Sequence, residues 1–205
     1  MPQCTISFLL THENSARLLT CPSLSKVGGE VGVDDKTIHS YFEILNDTLV
    51  GVTLPGFNRS TRKQLRLAPK YYWIDPGIPR ALNSTLRNSL VPGTSAFGES
   101  FEHFIILEFY KLATLLRLDW KFSYLRTKDG REMDLVIVRP DGPPLLIEIK
   151  SKNRVTATVA KSLESLGDLV DPQAIRILMS QDPLRQTFGR TLAIPWQEVL
   201  IEYLV

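Results

Sequence analysis

The chain has 205 residues, 43% of them hydrophobic, with 24 lysines and arginines against 22 aspartates and glutamates. That composition allows one large domain or two small ones, each with its own core, and the net charge of +2 neither demands nor excludes a nucleic-acid partner. No apolar run approaches the ~20 residues that span a bilayer, the N-terminus MPQCTISFLLTHENS lacks a basic region and a cleavage site, and Cys4, Cys21 and the three histidines offer no zinc spacing, so a reducing cytoplasm without membrane contact is expected.

Residues 1–20 read as an amphipathic helix, with Ile6, Leu9, Leu10, Ala16, Leu18 and Leu19 as its apolar members and a break near His12–Asn14. Cys21-Pro22-Ser23 interrupts the pattern, and a short helix over Leu24–Val31 ends at Gly32. Asp34 or Asp35 caps the next helix, which runs to about Asn46 with Ile38, Tyr41, Phe42 and Leu45 on one stripe. Two helices joined by a tight glycine-containing turn suggest a helix-turn-helix. Strands at Leu49–Leu54 and Tyr71–Ile74 would then be the wing of a winged helix.

Between those strands lies the most basic part of the chain: Arg59, Arg62, Lys63, Arg66 and Lys70 fall in a stretch without an acid. Such a stretch can contact phosphates and supply salt-dependent affinity for nucleic acid, or it can be a solvated loop. The second helix argues against DNA on its own face, since Asp34, Asp35, Glu43 and Asp47 would repel a phosphate backbone.

Residues 75–98, rich in Pro, Gly, Ser and Asn, form the best domain boundary, with a short helix around Ile78–Leu82. A long helix over about Ser100–Leu116 is apolar nearly all round, so it is expected to be covered on several sides. Glu102 shares a stripe with Ile105, Ile106 and Phe109 and needs a partner for its charge, whereas Glu108 can pair with Lys111 at i+3. Glu99 and His103 flank Glu102 near the helix start, where the macrodipole favours carboxylates.

A strand at Lys121–Arg126 turns at Asp129-Gly130 into the stretch REMDLVIVRPDGPPLLIEIKSK, residues 131–152. It reads as two strands connected by Pro140–Pro144. Glu132 and Asp134 share one face of the first strand; Glu148 and Lys150 share one face of the second, which is apolar over Leu145–Ile149 apart from Glu148. A buried, unpaired ion costs several kcal/mol, so adjacent strands carrying acids at their inner ends need a cation. Mg²⁺ suits one or two carboxylates plus a substrate phosphate, and the lysine can then orient or activate an attacking water. The competing reading makes Glu148 and Lys150 exposed, salt-bridged edge-strand charges. A helix around Thr158–Leu169, a strand Ala174–Ser180, a strand near Leu192–Ile194 and a helix Gln197–Leu204 complete an α/β (α+β) chain with a mixed sheet.

Asp134, a loop, then Glu148-Ile149-Lys150 resembles the signature of PD-(D/E)xK nucleases. The likeness widens to the C-terminal half of a family of prokaryotic AAA-type ATPases, in which the ATPase is followed by a winged helix and a nuclease-like domain of unknown function. The matching pieces are VGVDDKTIHSYFEIL, APKYYWIDPGI, FGESFEHFIILEF, YLRTKDGREMDLVI and LLIEIKSK, across about residues 20–200. The resemblance implies a winged-helix-like domain over residues 1–90 and a restriction-endonuclease-like domain over 97–205. It places Glu102, Asp134, Glu148 and Lys150 in one site, with Glu132 next in line. Asp134 and Glu148 would be ligands of Mg²⁺ or Mn²⁺, Glu102 a third ligand or a water-mediated one, and Lys150 would position the nucleophile. No Gly-x-x-x-x-Gly-Lys-Ser/Thr occurs, so ATP binding does not carry over, and the chain is either a fragment or a relative without the ATPase.

Three readings follow. The first is an Mg²⁺-dependent nuclease cutting DNA by metal-activated water. The second is an inactive nuclease fold that binds DNA or a partner such as an ATPase module. The third is a transcription regulator built on the winged helix, which leaves the charges of the second domain unexplained.

Overall fold

The computed structural model describes Gly29 and residues 32–58 and 68–204. The helix expected at 1–20 and, apart from Gly29, the one at Leu24–Val31 lie outside the described residues, as do Arg59, Arg62, Lys63 and Arg66. Among the described residues the chain divides into two compact units, one of 32–55 and 68–89, the other of 56–58 and 90–204.

In the first unit, helix α1 (Asp35–Asp47) starts because the Asp34 carboxylate accepts the Thr37 N–H at 3.0 Å. Its apolar stripe buries Ile38 and Phe42 against Trp73, and the Phe42 ring stacks on Tyr71 with centroids 3.9 Å apart. The helix ends in a Schellman turn: Leu49 N–H donates to the Asn46 carbonyl and Val50 N–H to that of Leu45, with Leu49 at φ 57°. That left-handed residue cannot begin a strand, so β1 spans Gly51–Leu54 rather than starting at Leu49. It pairs antiparallel with β2 (Lys70–Trp73), Gly51 facing Trp73 and Leu54 facing Lys70. Helix α2 (Gly77–Leu82) closes the unit. Lys70, grouped by sequence with the basic stretch, is only 5% exposed. Burial takes it out of an exposed phosphate-contacting surface.

The second unit begins with helix α3 (Ser95–Leu115), five residues earlier than its apolar pattern suggests. Thr94 explains the difference, since its hydroxyl accepts the Phe97 N–H and starts the helix inside a stretch that reads as linker. Glu108 and Lys111 pair at 3.8 Å. Strands β3 (Lys121–Arg126), β4 (Glu132–Arg139) and β5 (Gly142–Lys150) form an antiparallel meander. Its first turn carries Gly130 at φ 83°, a conformation open to glycine. Helix α4 (Ala157–Val170) then crosses to β6 (Ile175–Ser180), which lies parallel to β5. The hairpin β7 (Gln186–Phe188) and β8 (Thr191–Pro195) precedes helix α5 (Trp196–Leu204).

The six strands are ordered β3-β4-β5-β6-β8-β7, so β5 is interior and hydrogen-bonded on both sides. Leu145, Leu146 and Ile147 are each 0% exposed, as a strand covered on both faces requires. On one face Val136, Leu146, Leu178 and Ala193 pack with Leu163, Leu166 and Val170 of α4. Elsewhere α3 contacts β5 and α5, and Trp196 sits edge-on to Phe101 and Phe104 at 6.3 and 5.4 Å. Phe57 joins the α4 side, its N–H donating to the Tyr124 carbonyl, so residues 56–58 interrupt the first unit to pack with the second. Among the described residues no helix is long and apolar enough to cross a membrane.

Leu49 tests the turn. It is 69% exposed and a left-handed residue with a Cβ costs about 1–2 kcal/mol. Leu49→Gly removes that cost and regains part of it as unfolded-state entropy. A net gain of roughly 0.5 kcal/mol in urea denaturation is expected; a loss above 1 kcal/mol would refute the assigned turn.

Candidate active site

The charged residues singled out by sequence meet where β5 ends. On β3–β4, the pairs Ser123–Val136 and Leu125–Met133 leave two residues, Asp134 and Leu135, opposite the single residue Tyr124. This β-bulge bends β4 and re-aims its side chains at that point. The β4–β5 ladder reaches its last pair at Leu135–Ile147. One residue further, the Asp134 carboxylate takes over from the ladder, accepting the Ile149 N–H at 2.7 Å. Asp134 is 9% exposed, and this charge-assisted bond fixes one of its oxygens.

Glu148 and Lys150 follow on the same strand at i and i+2, so they share a face. Their side chains pair at 2.5 Å, Glu148 being 16% and Lys150 35% exposed. Because β5 is interior, these are not edge-strand charges. Burial pushes the Glu148 carboxyl up to about 7; the nearby Asp134 charge adds to the shift, Lys150 opposes it, and Glu132 contributes a smaller push upward. For Lys150, burial works against the ammonium, but Asp134, Glu148 and Glu102 outweigh it and raise its pKa above the ordinary lysine value. That influence puts Glu102, on α3, within electrostatic reach of Lys150. Glu132 also pairs with Arg126 at 3.9 Å.

Glu102, Asp134, Glu148 and Lys150, far apart in sequence, thus belong to one electrostatic cluster, with Glu132 at its margin. Among the described residues no three His, Cys, Asp or Glu side chains form a ready-made metal cage. The donors still suit a hard cation. Asp134 and Glu148 offer carboxylate oxygens, their repulsion adding to the burial that raises proton affinity at Glu148, and Mg²⁺ commonly takes only one or two protein carboxylates, filling its shell with water and phosphate.

The segment after Lys150 is held by residues that the sequence reading passed over. Gln181 N–H donates to the Lys152 carbonyl at 3.2 Å, and its side-chain amide to the Ser151 carbonyl at 3.3 Å. Asp182, 3% exposed, accepts from Val155 N–H, Leu184 N–H and the Gln186 side-chain amide at 3.1–3.2 Å. A polar Gln-Asp pair directly after an apolar strand was the available signal. Across from this segment, a Cβ added to Gly98 of α3 would meet only the Ser151 hydroxyl, at 3.5 Å.

Residues 97–199 match the model of a domain of unknown function (DUF4143), and residues 9–89 match that of a second domain of unknown function (DUF8612). No curated protein and no solved structure matches the chain.

The raised Glu148 pKa has a stability signature. Between its unfolded value of 4.5 and its folded value of about 7, the folded state binds the extra proton, so stability falls as pH rises through that window and levels above it. Lys150 stays charged throughout and adds no slope there. Without metal, wild type should lose on the order of 3 kcal/mol relative to Glu148→Gln between those limits. Parallel pH profiles of the two proteins in urea denaturation would contradict the shift.

Proposed function

The chain belongs to the DUF4143 family, a domain found in AAA-ATPase-associated proteins, and on that premise we propose that it is a metal-dependent nuclease of the PD-(D/E)xK kind. The observation that carries the reading is the meeting of Asp134, Glu148 and Lys150 at the end of a buried central strand, with Glu102 within electrostatic reach of the lysine. Mg²⁺ or Mn²⁺, held by Asp134 and Glu148 with Glu102 bound directly or through water, would supply an acidified water and neutralise charge on the phosphate.

The protein's own groups divide the remaining work. Asp134 is fixed by the Ile149 amide, which holds its carboxylate at the β4–β5 junction close to Glu148 in sequence register. Glu148 reaches neutral pH with its carboxyl near half-protonated, so a cation that displaces its proton gains affinity as pH rises. Lys150, with its pKa raised, remains an ammonium at neutral pH. It therefore acts as a donor and positive charge that holds a water or phosphate oxygen in place, and not as the base that takes a proton. The substrate is nucleic acid, DNA by preference. Arg59, Arg62, Lys63 and Arg66 fit phosphate contact by composition. The first unit would act as a winged helix, with α1 and the β1–β2 ribbon as its second helix and wing, and an ATPase module or protein would be a partner.

The Glu148–Lys150 ion pair favours one rival, an inactive fold that binds DNA or a partner. In that case the two charges satisfy each other and need no metal.

Asp134→Asn separates the two. An asparagine can still accept the Ile149 N–H, so the fold is kept while the ligand charge is lost. Wild type should melt higher in Mn²⁺ or Mg²⁺, by mass action on the folded state, and should cut a DNA substrate in their presence. Asp134→Asn should lose the metal-dependent shift and cut at least ~10²-fold more slowly, the scale of one lost electrostatic contact in a transition state. Equal cleavage by both proteins would defeat the nuclease reading.

A further inference from the structure

Segment 151–155 leaves the candidate site directly after Lys150, and its sequence is Ser-Lys-Asn-Arg-Val. Lys152, Asn153 and Arg154 are exposed. A loop with three consecutive exposed polar residues is ordinarily free to move, and its cations then contribute little directed binding. Here the backbone is pinned at three points. Gln181 holds the carbonyls of Ser151 and Lys152, and Asp182 holds the amide of Val155. The clamp itself is fixed. Asp182 is buried, caps Leu184 and Gln186 as well, and follows Ser180, whose hydroxyl accepts the Asp182 N–H at 3.1 Å. Ser180 is the ladder partner of Lys150 on β6, so clamp and candidate site share one register.

Burying a carboxylate is costly unless hydrogen bonds satisfy it, and Asp182 meets that need by holding Val155, Leu184 and Gln186, which fixes the loop. Five of the eight described arginines of this unit lie against carboxylates: Arg126 on Glu132, Arg131 on Asp129, Arg176 and Arg190 on Asp168, Arg185 on Glu198 and Glu202. Among the described residues the side chains of Lys152 and Arg154 form no such pair. On the facing helix Gly98 presents no side chain over Ser151, and its φ is not one that requires glycine. Helical glycine is about 1 kcal/mol less favourable than alanine, and the packing here does not demand it.

We infer that residues 151–155 are a phosphate-binding arm for a nucleic-acid backbone, in which Lys152 and Arg154 contact phosphates and Gln181 and Asp182 act as positioning residues that hold the arm beside Lys150. The inference rests on the nuclease reading for its location, but the binding it describes can be measured without cleavage. The acids of the site repel a polyanion, so a substrate strand brought to them needs cations at a fixed distance. The arm supplies them without adding positive charge among the metal ligands.

The test uses the full chain and a fluorescein-labelled DNA duplex in EDTA, with anisotropy recorded over a range of salt concentrations. Lys152→Gln with Arg154→Gln should weaken binding and lower the slope of log K against log salt by up to ~1.8, at ~0.9 per contact. Arg117→Gln with Lys121→Gln removes the same charge at the other end of the sheet, where Lys121 pairs with Val138, and should leave the slope nearly unchanged. Asp182→Asn keeps both cations but loosens the arm, and should weaken binding at fixed salt; Gln181→Leu is the milder cut should the first variant not fold. In Mg²⁺ the arm variant should raise KM with little change in kcat. An unchanged salt slope for the arm variant, equal slope losses for both double variants, a folded clamp variant that binds like wild type, or no duplex binding by wild type would each overturn the inference. A wild type that never cuts but shows the expected slope loss would sink the nuclease reading and leave the arm standing.

Discussion

Everything distinctive about this chain follows from placing carboxylates at the end of a strand that the sheet covers on both sides. Glu148 sits one residue beyond Leu145, Leu146 and Ile147, all fully buried, and Asp134 is nearly as enclosed. Two such acids repel, and the repulsion is weakly screened because little water reaches them. The fold answers with a peptide N–H for Asp134 and an ammonium for Glu148. Neither removes the strain entirely, since the Glu148 carboxyl still titrates near neutrality. A purely structural strand would carry a valine or isoleucine there, as its neighbours do.

Much of this was legible in the sequence because local rules and tertiary needs agree. Asp34 caps its helix, Gly130 supplies its turn, and the alternation of Glu132 with Asp134 and of Glu148 with Lys150 tells which charges share a face. The α/β assignment rests on the same patterns, and the structure is a mixed α/β fold. What sequence could not show is long-range geometry. The bulge that re-aims Asp134 depends on Tyr124 of another strand. The clamp of Gln181 and Asp182 depends on β6 lying beside β5 in a particular register. Lys70 sits in a basic run, yet its strand turns it inward. The strand β7 is too short and polar to stand out, and exists because Gly189 folds it back on β8.

The Glu148–Lys150 pair is the point at which the catalytic and non-catalytic readings part. If the lysine serves only to neutralise the glutamate, the remaining acids need another account. Asp134 holds the Ile149 peptide, and Glu102 acts on the same lysine from a different element. If a divalent cation takes over Glu148, Lys150 is released to a water or phosphate oxygen, and all four groups acquire a use. The second account explains more of the arrangement with one added ion.

The most direct measurement is crystallographic: crystals soaked in Mn²⁺, with anomalous diffraction recorded at the manganese edge. The account predicts a peak between the carboxylates of Asp134 and Glu148, at the ~2 Å ligand distances of a hard cation, with the Lys150 ammonium moved off Glu148. A well-diffracting soaked crystal with no peak there, and the Glu148–Lys150 pair still closed, would contradict it.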